Sequence, residues 1–345
     1  MAFGGGTWTV QNKVMPGAYI NIVNASTVGA VLGERGTVAI ALALNKAPGT
    51  VIEIERAEFV KDAAALTGKE YASAELAPLR EIFCNATKVY VYDMGEGNSA
   101  ADAIAALEPY EFNVLCAYAE DTAAYVAAVK SWRDDYGKKC QVVIYNAGET
   151  GSDYEGVIDV ASTVTTEGAP AYALTAWVAG AEAGCAINKT CTNMIYNGEY
   201  AVATNKTQAD LENCLTGGKF VFHLAYGDVR VLEDINSLVT TTEDKGEDFK
   251  YNQTIRVIDQ IANDIAKLFN TKYLGKIPNN ASGRMSLRSE IISHHRQLEE
   301  VQAIENFDTA LLTVEQGNNK RSVVVNDAVS VTNAMSILYM TVEIN

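Results

Sequence analysis

The chain ends on a segment that alternates. From Ser336 to Ile344, Leu338, Met340, Val342 and Ile344 share one face of an extended strand, and Ile337, Tyr339 and Thr341 share the other. A period of two marks a strand, and a strand apolar on both faces is a sticky edge until something pairs with it. Two placements are open. The strand docks within its own domain, as apolar termini usually do. Alternatively it adds to the sheet of another copy, where main-chain bonds supply affinity and side-chain pockets supply register. The opposite end repeats the question. Gly4-Gly5-Gly6 cannot pack, Pro16-Gly17 signals a turn, and Ala18, Tyr19, Ile20, Asn21, Ile22 and Val23 form a short strand on a flexible tether.

Between these ends the pattern changes to strand–helix–strand. Thr37 to Leu42 and Lys88 to Tyr92 read as strands, Ala100 to Leu107 as a helix, Phe112 to Tyr118 as a buried strand and Gln141 to Tyr145 as another. Asp121 opens a helix with Tyr125, Val129, Trp132 and Tyr136 on its apolar face, and Gly137 closes it. This rhythm implies a partly parallel sheet covered by helices, a fold of the α/β (mixed α+β) class. Ala171 to Gly184 is small and apolar enough to be a buried helix, and Lys206 to Leu215 is a second helix. Phe220 to Leu224 and Val229 to Leu232, joined at Tyr226-Gly227-Asp228, form a hairpin.

The clearest helix begins near Phe249. Ile255, Ile258, Ile261, Ala262, Ile265, Leu268 and Phe269 line one face, with Arg256, Asp259, Asn263 and Lys267 on the other, the pattern of a surface helix. A further helix covers Ser282 to Gln302. Asn318-Asn319 is a turn and Ser322 to Val325 a strand.

Composition excludes more than it identifies. The 345 residues suffice for two domains or for one with an insertion. A formal net charge of -16 argues against non-specific nucleic-acid binding, which needs Lys and Arg against phosphates. The N-terminus has no basic, apolar leader, and the longest apolar run, Ala171 to Ala181, falls short of the roughly 20 residues a membrane helix needs. The expected setting is therefore a cytoplasm, with no membrane insertion. Six cysteines without a CxxC pair are expected to be small buried hydrophobes, although Cys185 and Cys191 flank a loop and could pair.

Chemistry-bearing motifs do not survive weighing. Gly148-Glu149-Thr150-Gly151-Ser152 follows a strand but lacks the Gly-Lys-Ser/Thr ending of a phosphate loop, and Gly217-Gly218-Lys219 precedes a strand where such a loop follows one. His294 and His295 point about 100° apart on a helix. They cannot share one metal ion and are expected on a solvent or interface face. No GxSxG or HExxH motif is present, and the four glycosylation sequons carry no meaning without a secretory signal. The reading contains no catalytic, cofactor-binding or metal-binding residue, and no cofactor.

The segments, in order, resemble the tail sheath proteins of contractile phages, closest to the short sheaths of defective prophages and R-type bacteriocins. Met15-Pro16-Gly17-Ala18-Tyr19-Ile20-Asn21-Ile22 is similar to the family's opening Arg-Pro-Gly-Val-Tyr-Ile, with Met15 in place of the basic residue. Arg35-Gly36-Thr37-Val38-Ala39-Ile40 looks like the glycine-plus-strand element that follows, and Ala171 to Gly180 like the small-residue helix. The strongest likeness lies over 230–345. There Glu233 to Thr240 resembles the Ile-Asn-Thr-Leu element, Phe249 to Asp259 the long helix, and Tyr273 to Asn280 the Tyr-Ile-Gly-Lys-x-Asn-Asn loop.

The resemblance implies a structural subunit, not an enzyme. Sheath subunits stack in six-start helices of hexameric layers around an inner tube, and a baseplate trigger compacts the layers and drives the tube through an envelope. The implied fold is a sheath core domain from N- and C-terminal parts with an inserted α/β domain, plus extended arms. Its implied divisions are an arm over 1–24, core over 25–87, an outer α/β domain over 88–205, sheath core over 206–334 and a linker strand over 335–345. Ala18 to Val23, together with Leu338, Tyr339, Met340, Thr341, Val342 and Ile344, fall in the inter-subunit mesh. Arg284, Arg288, Lys320 and Arg321 are candidates for tube contact, with an ordinary solvated charge cluster as the alternative. Implied partners are other copies, the inner tube protein, and the baseplate and tail terminator proteins, first in a host cytoplasm and then in a virion tail or phage-like particle. An α/β hydrolase-like enzyme and a non-polymerising binding module are the competing readings. The missing motifs count against the first, and the two apolar terminal strands count against the second.

Overall fold

The computed structural model of the protein describes residues 32–148 and 150–344, together with the backbone of two short strands, β1 (Gly4–Gly6) and β2 (Gly17–Tyr19). These two pair in parallel. Of the N-terminal strand residues, Ile20, Asn21, Ile22 and Val23 lie outside the described residues.

Seven apolar segments assemble one sheet. In chain order they are β3 (Thr37–Leu42), β4 (Val51–Glu55), β5 (Lys88–Asp93), β6 (Val114–Cys116), β7 (Gln141–Tyr145), β8 (Val157–Val160) and β9 (Lys219–Phe220). Their order across the sheet is β4-β5-β3-β6-β7-β8-β9, parallel throughout except for the antiparallel edge strand β4. Both faces are buried, as a parallel sheet requires. Along β3, Val38, Ile40 and Leu42 enter one core while Ala39 and Ala41 enter the other. The first core lies under α1 (Arg56–Thr67), α2 (Ala77–Phe83) and α5 (Leu174–Gly184), and includes Phe59, Leu79, Ile82, Trp177 and Phe222. The second lies under α3 (Ala100–Leu107) and α4 (Ala123–Asp134), and includes Leu107, Tyr125, Val129 and Trp132. The sheet spans the expected divisions at 87/88 and 205/206: β3 is bonded to β5 and β6, and β8 to β9.

Helix α5 needs its small residues. A Cβ on Gly180 would stand 2.3 Å from the carbonyl oxygen of Ile82, and one on Gly184 would stand 2.2 Å from that of Asn85. The two glycines, one helical turn apart, let α5 cross α2 with its backbone against the other chain segment.

Helix α6 (Gln208–Thr216), capped by Thr207, leads into β9. The expected hairpin follows as β10 (Phe222–Ala225) and β11 (Asp228–Val231), with Tyr226 and Gly227 both at positive φ in its tip. The last part is an antiparallel helix pair, α7 (Asn252–Leu268) and α8 (Ala281–Glu300), joined through a π-helical turn at Phe269–Tyr273. Beside α8 lie two small ladders, β12 (Ile304–Glu305) with β15 (Ser330–Val331), and β13 (Thr313–Gln316) with β14 (Val323–Asn326). Their core joins Val257, Leu268, Leu287, Ile291, Leu298, Phe307 and Leu312. No helix of the described residues is long and apolar enough to cross a membrane.

Four expectations need correction. Tyr136 lies beyond the end of α4 and is 70% exposed, because Gly137 at φ 73° turns the chain away before it can pack. The Phe112–Tyr118 strand is only Val114–Cys116. Helix α7 does not turn its whole polar face to water: Asn252, Arg256, Asp259, Gln260 and Asp264 are buried, and of the residues read as that face Lys267 stays exposed. His294 and His295 are fully buried, because each finds a carboxylate on a different neighbouring element.

Candidate assembly surface

The polar face of α7 is the joint between the two halves of the protein. Arg256 Nη2 lies 2.7 Å from Glu182 Oε2 of α5 and 3.3 Å from Asp234 Oδ2, while its Nη1 donates to the carbonyl of Lys189 at 2.6 Å. One turn earlier, Asn252 donates to Asp234 Oδ1 at 2.8 Å and accepts from Gln141 Nε2 of β7 at 2.9 Å. One turn later, Asp259 meets Arg133 of α4 in a two-pronged pair, with Nη2 to Oδ1 at 2.9 Å. Asn263 then donates to the carbonyl of Lys139 at 2.7 Å. Burial and the neighbouring Arg256 push the Arg35 guanidinium down to about 10. Glu182, Cys191 and Asp234 bring ligand-type atoms within 4.8 Å of one another, but the Arg256 guanidinium already supplies the positive charge there.

The same helix also holds the chain at Gly33 and at Thr332–Ala334. Gln253 Nε2 donates to the carbonyl of Thr332 at 3.0 Å, and its Oε1 accepts from the amide of Ala334 at 3.0 Å. Thr254 and Asn333 exchange side-chain hydrogen bonds. Farther along, the Gly33 amide donates to Asp264 Oδ2 at 3.0 Å and Gln260 Nε2 donates to its carbonyl at 3.3 Å.

Beyond Ala334 no strand ladder is present among the described residues. Leu338 is 84% exposed, Tyr339 90%, Met340 75%, Val342 68% and Ile344 93%, and Thr341 is exposed too. Among the described residues this segment does not dock within its own domain, one of the two placements left open by the sequence. The hairpin β13–β14 stands nearby in sequence as a free two-stranded ladder, with Val324 and Val325 exposed on it.

The four basic candidates divide. Arg284, Lys320 and Arg321 line one groove of about 360 Å³ with Leu274, Ile277 and Val323, and Arg284 Nη1 donates to Asn279 Oδ1 at 3.0 Å. Arg288 is turned inward. Its guanidinium donates to the carbonyls of Leu312, at 2.9 Å, and Thr309, bracing α8 against the loop before β13. Lys219, from the Gly217-Gly218-Lys219 turn, is buried and paired with Asp159 Oδ2 at 3.1 Å.

Sequence reasoning missed Gln253, Thr254, Gln260 and Asp264. All four are polar positions of α7 that the two-face pattern, with Arg256, Asp259, Asn263 and Lys267 on its polar side, did not name.

The comparisons with known proteins fit this architecture. Residues 95–237 match a phage tail sheath protein central domain, and residues 244–345 match a phage tail sheath C-terminal domain. Phage-like element PBSX protein XkdK of Bacillus subtilis (strain 168) is 31% identical over 261 residues, covering 71% of this chain and 55% of the relative. The chain thus spans about half the length of the curated relatives it matches. The crystal structure of a sheath tail protein from Desulfitobacterium hafniense superposes with a TM-score of 0.78 at 28% identity, covering 91% of this chain and 96% of that one. The helical sheath of the anti-feeding prophage in its contracted state shares the fold, with a TM-score of 0.71 at 14% identity over 96% of this chain and 99% of that one.

Proposed function

Because this chain belongs to the phage tail sheath family, we propose that it is a structural subunit of a contractile tail sheath, polymerising helically around an inner tube and contracting to drive that tube through a cell envelope. The observation that carries this reading is the exposed apolar segment Met335–Ile344, held at its root by Gln253 and Thr254 and, among the described residues, unpaired beyond it. An alternating segment with no ladder of its own has main-chain donors and acceptors to offer another sheet. In this role Ala18 to Val23 and Leu338 to Ile344 are the inter-subunit strands, and the ladder β13–β14 is the edge they would extend.

A contact that does not close on itself generates a helix of copies, the geometry a sheath needs. The extended array is then a metastable state whose free-energy gap is stored in subunit interfaces, so that no nucleotide or catalytic group is called for. The groove bearing Arg284, Lys320 and Arg321 is the better candidate for the inner tube, since Arg288 is committed to internal carbonyls. Further partners are the baseplate and tail terminator proteins, and the destination is the tail of a virion or phage-like particle, after assembly in a host cytoplasm.

Negative-stain electron microscopy of the purified chain, beside a variant ending at Ala334, tests the proposal. Wide hollow tubes are expected from the intact chain and none from the truncation. Tubes from both would remove the C-terminal strand from the mesh. Particles that stay single at every salt concentration, even with inner tubes added as template, would overturn the sheath role.

A further inference from the structure

We infer that Cys185 and Cys191 form a thiol-oxidation site, which a peroxide closes into a disulfide that clamps the loop between them onto the polar joint of α7. The two residues bound one short loop after α5. Cys185 is half-buried, stands directly beyond the last residue of that helix, and its amide donates to the Ala181 carbonyl at 2.8 Å. Cys191 is fully buried, and its amide donates to Asp234 Oδ2 at 2.9 Å. Both side chains pack in the same apolar core, and their thiols meet in a hydrogen bond. Cys84, also half-buried, has no such neighbour: its thiol donates to the carbonyls of Arg80 and Asn197, at 3.4 and 3.6 Å.

The two sulfurs have different roles. The hydrogen bond from Cys191, and after it the guanidinium groups of Arg256 and Arg35, favour the thiolate at Cys185. Arg35 Nε, moreover, has no hydrogen-bond partner among the described residues. A partly exposed thiolate beside cations, with a second thiol in reach, is the setting in which peroxides oxidise cysteine. The Cys185 sulfur attacks one oxygen of hydrogen peroxide. An S–O bond forms, the O–O bond breaks, and the departing hydroxide takes up the thiol proton as water. Cys191 then attacks the Cys185 sulfur: an S–S bond forms, the S–O bond breaks, and a second water leaves with the Cys191 proton. The thiols give up two electrons in all, and the peroxide gains them. Cys191, shielded from solvent, reacts only through Cys185. The loop closed in this way already touches three elements. Arg256 Nη1 of α7 donates to the Lys189 carbonyl at 2.6 Å, the Thr190 hydroxyl donates to Asp234 Oδ2 at 3.1 Å, and Asn188 Nδ2 donates to the carbonyl of Val301, just past α8, at 2.8 Å. The disulfide fixes those contacts by shortening the freedom of the unfolded loop.

Peroxide treatment of the reduced, full-length chain tests this on the single subunit, whether or not copies polymerise. After a timed exposure to hydrogen peroxide the remaining thiols are blocked and the chain is digested with trypsin. Cleavage places Cys185 in the peptide 140–189 and Cys191 in 190–206, so the disulfide joins two peptides, and fragment ions separate Cys185 from Cys140. The joined pair is expected to form at least about tenfold faster than the Cys84 thiol is lost. In Cys191→Ser, Cys185 is expected to stop at the sulfenic acid and to be trapped by dimedone. Should that variant fail to fold, Cys185→Ser serves in its place, and the Cys191 thiol is then expected to survive the peroxide. The oxidised parent chain is expected to unfold at a higher urea midpoint than the reduced one, with dithiothreitol restoring the lower value. Oxidation of Cys185 to the sulfinic acid while Cys191 keeps its thiol would overturn the inference, as would loss of Cys84 at the same rate. A urea midpoint that does not rise on oxidation would overturn the clamp.

Discussion

Arg256 Nη2 stands 2.7 Å from Glu182 Oε2, and both side chains are only 1% exposed. The same nitrogen reaches Asp234 Oδ2 at 3.3 Å, so one cation from α7 serves carboxylates from α5 and from the segment after β11. Desolvating three charges is expensive, and such a triad is weak evidence of net stability. Its effect here is on geometry. Only one rotation of α7 brings Arg256 to Glu182 while Asp259 meets Arg133 and Gln253 meets the C-terminal root.

Removing the cation leaves two buried carboxylates without a counter-charge. Arg256→Ala is expected to lower the unfolding free energy by about 3–5 kcal/mol, read from urea denaturation followed by circular dichroism. A loss under about 1 kcal/mol would mean that water reaches Glu182 and Asp234 and that the helix is held by its apolar side alone.

Crowding makes Gly180, like Gly184, a size-sensitive position of α5. In a helix interior alanine is ordinarily the better residue, yet here the added methyl meets the Ile82 carbonyl at 2.3 Å. Backbone on both sides cannot yield as a side chain would, so Gly180→Ala is expected to cost at least about 2 kcal/mol. Calorimetry that finds an unchanged or higher melting temperature would show that α2 and α5 separate freely.

Much of this architecture was legible before any coordinates. The β3 and α3 spans coincide with the segments read as Thr37 to Leu42 and Ala100 to Leu107, because period and capping agree locally at Ser99 and Asp102. The direction of α7 was not legible. Its apolar positions do form a stripe, and Ile261, Ile265, Leu268 and Phe269 pack in the core shared with α8, while Arg256 and Asp259 find partners more than a hundred residues away for Asp259, and 74 residues away at Glu182. Periodicity reports two faces and cannot say which one meets a polar partner. The histidine pair was hidden for the same reason, since Asp264 and Asp327 approach it from other elements. The terminal segment was read as a strand from alternation alone, and a strand needs a neighbour that a single copy does not provide.

Thiol reactivity should separate two half-buried cysteines. Burial, then the Glu81 carboxylate, pushes the Cys84 thiol up to about 11, whereas a hydrogen bond from the Cys191 thiol brings Cys185 down to about 7. Since the thiolate is the nucleophile, iodoacetamide at neutral pH should label Cys185 at least about tenfold faster than Cys84. Peptide mass spectrometry resolves the two sites. Equal rates would mean that the thiolate at Cys185 is not stabilised, or that access outweighs ionisation.

Acidity should stabilise the protein through Glu81. This carboxyl, on α2, accepts from the Tyr196 hydroxyl at 2.8 Å and the Glu199 amide at 2.6 Å, but burial dominates and pushes it up to about 7 from a usual 4.5. The native state therefore keeps a proton that the unfolded chain releases at lower pH. The stabilisation is complete below about 4.5 and is lost as pH rises through about 7. Between about pH 5 and pH 8 the unfolding free energy is expected to fall by up to about 3 kcal/mol from this group. Glu81→Gln cannot ionise, so urea midpoints for that variant should vary less with pH over the same range. Stability that instead rises toward pH 8 in the parent chain, with Glu81→Gln showing the same slope, would place the charged carboxylate as the native form and the two hydrogen bonds above burial.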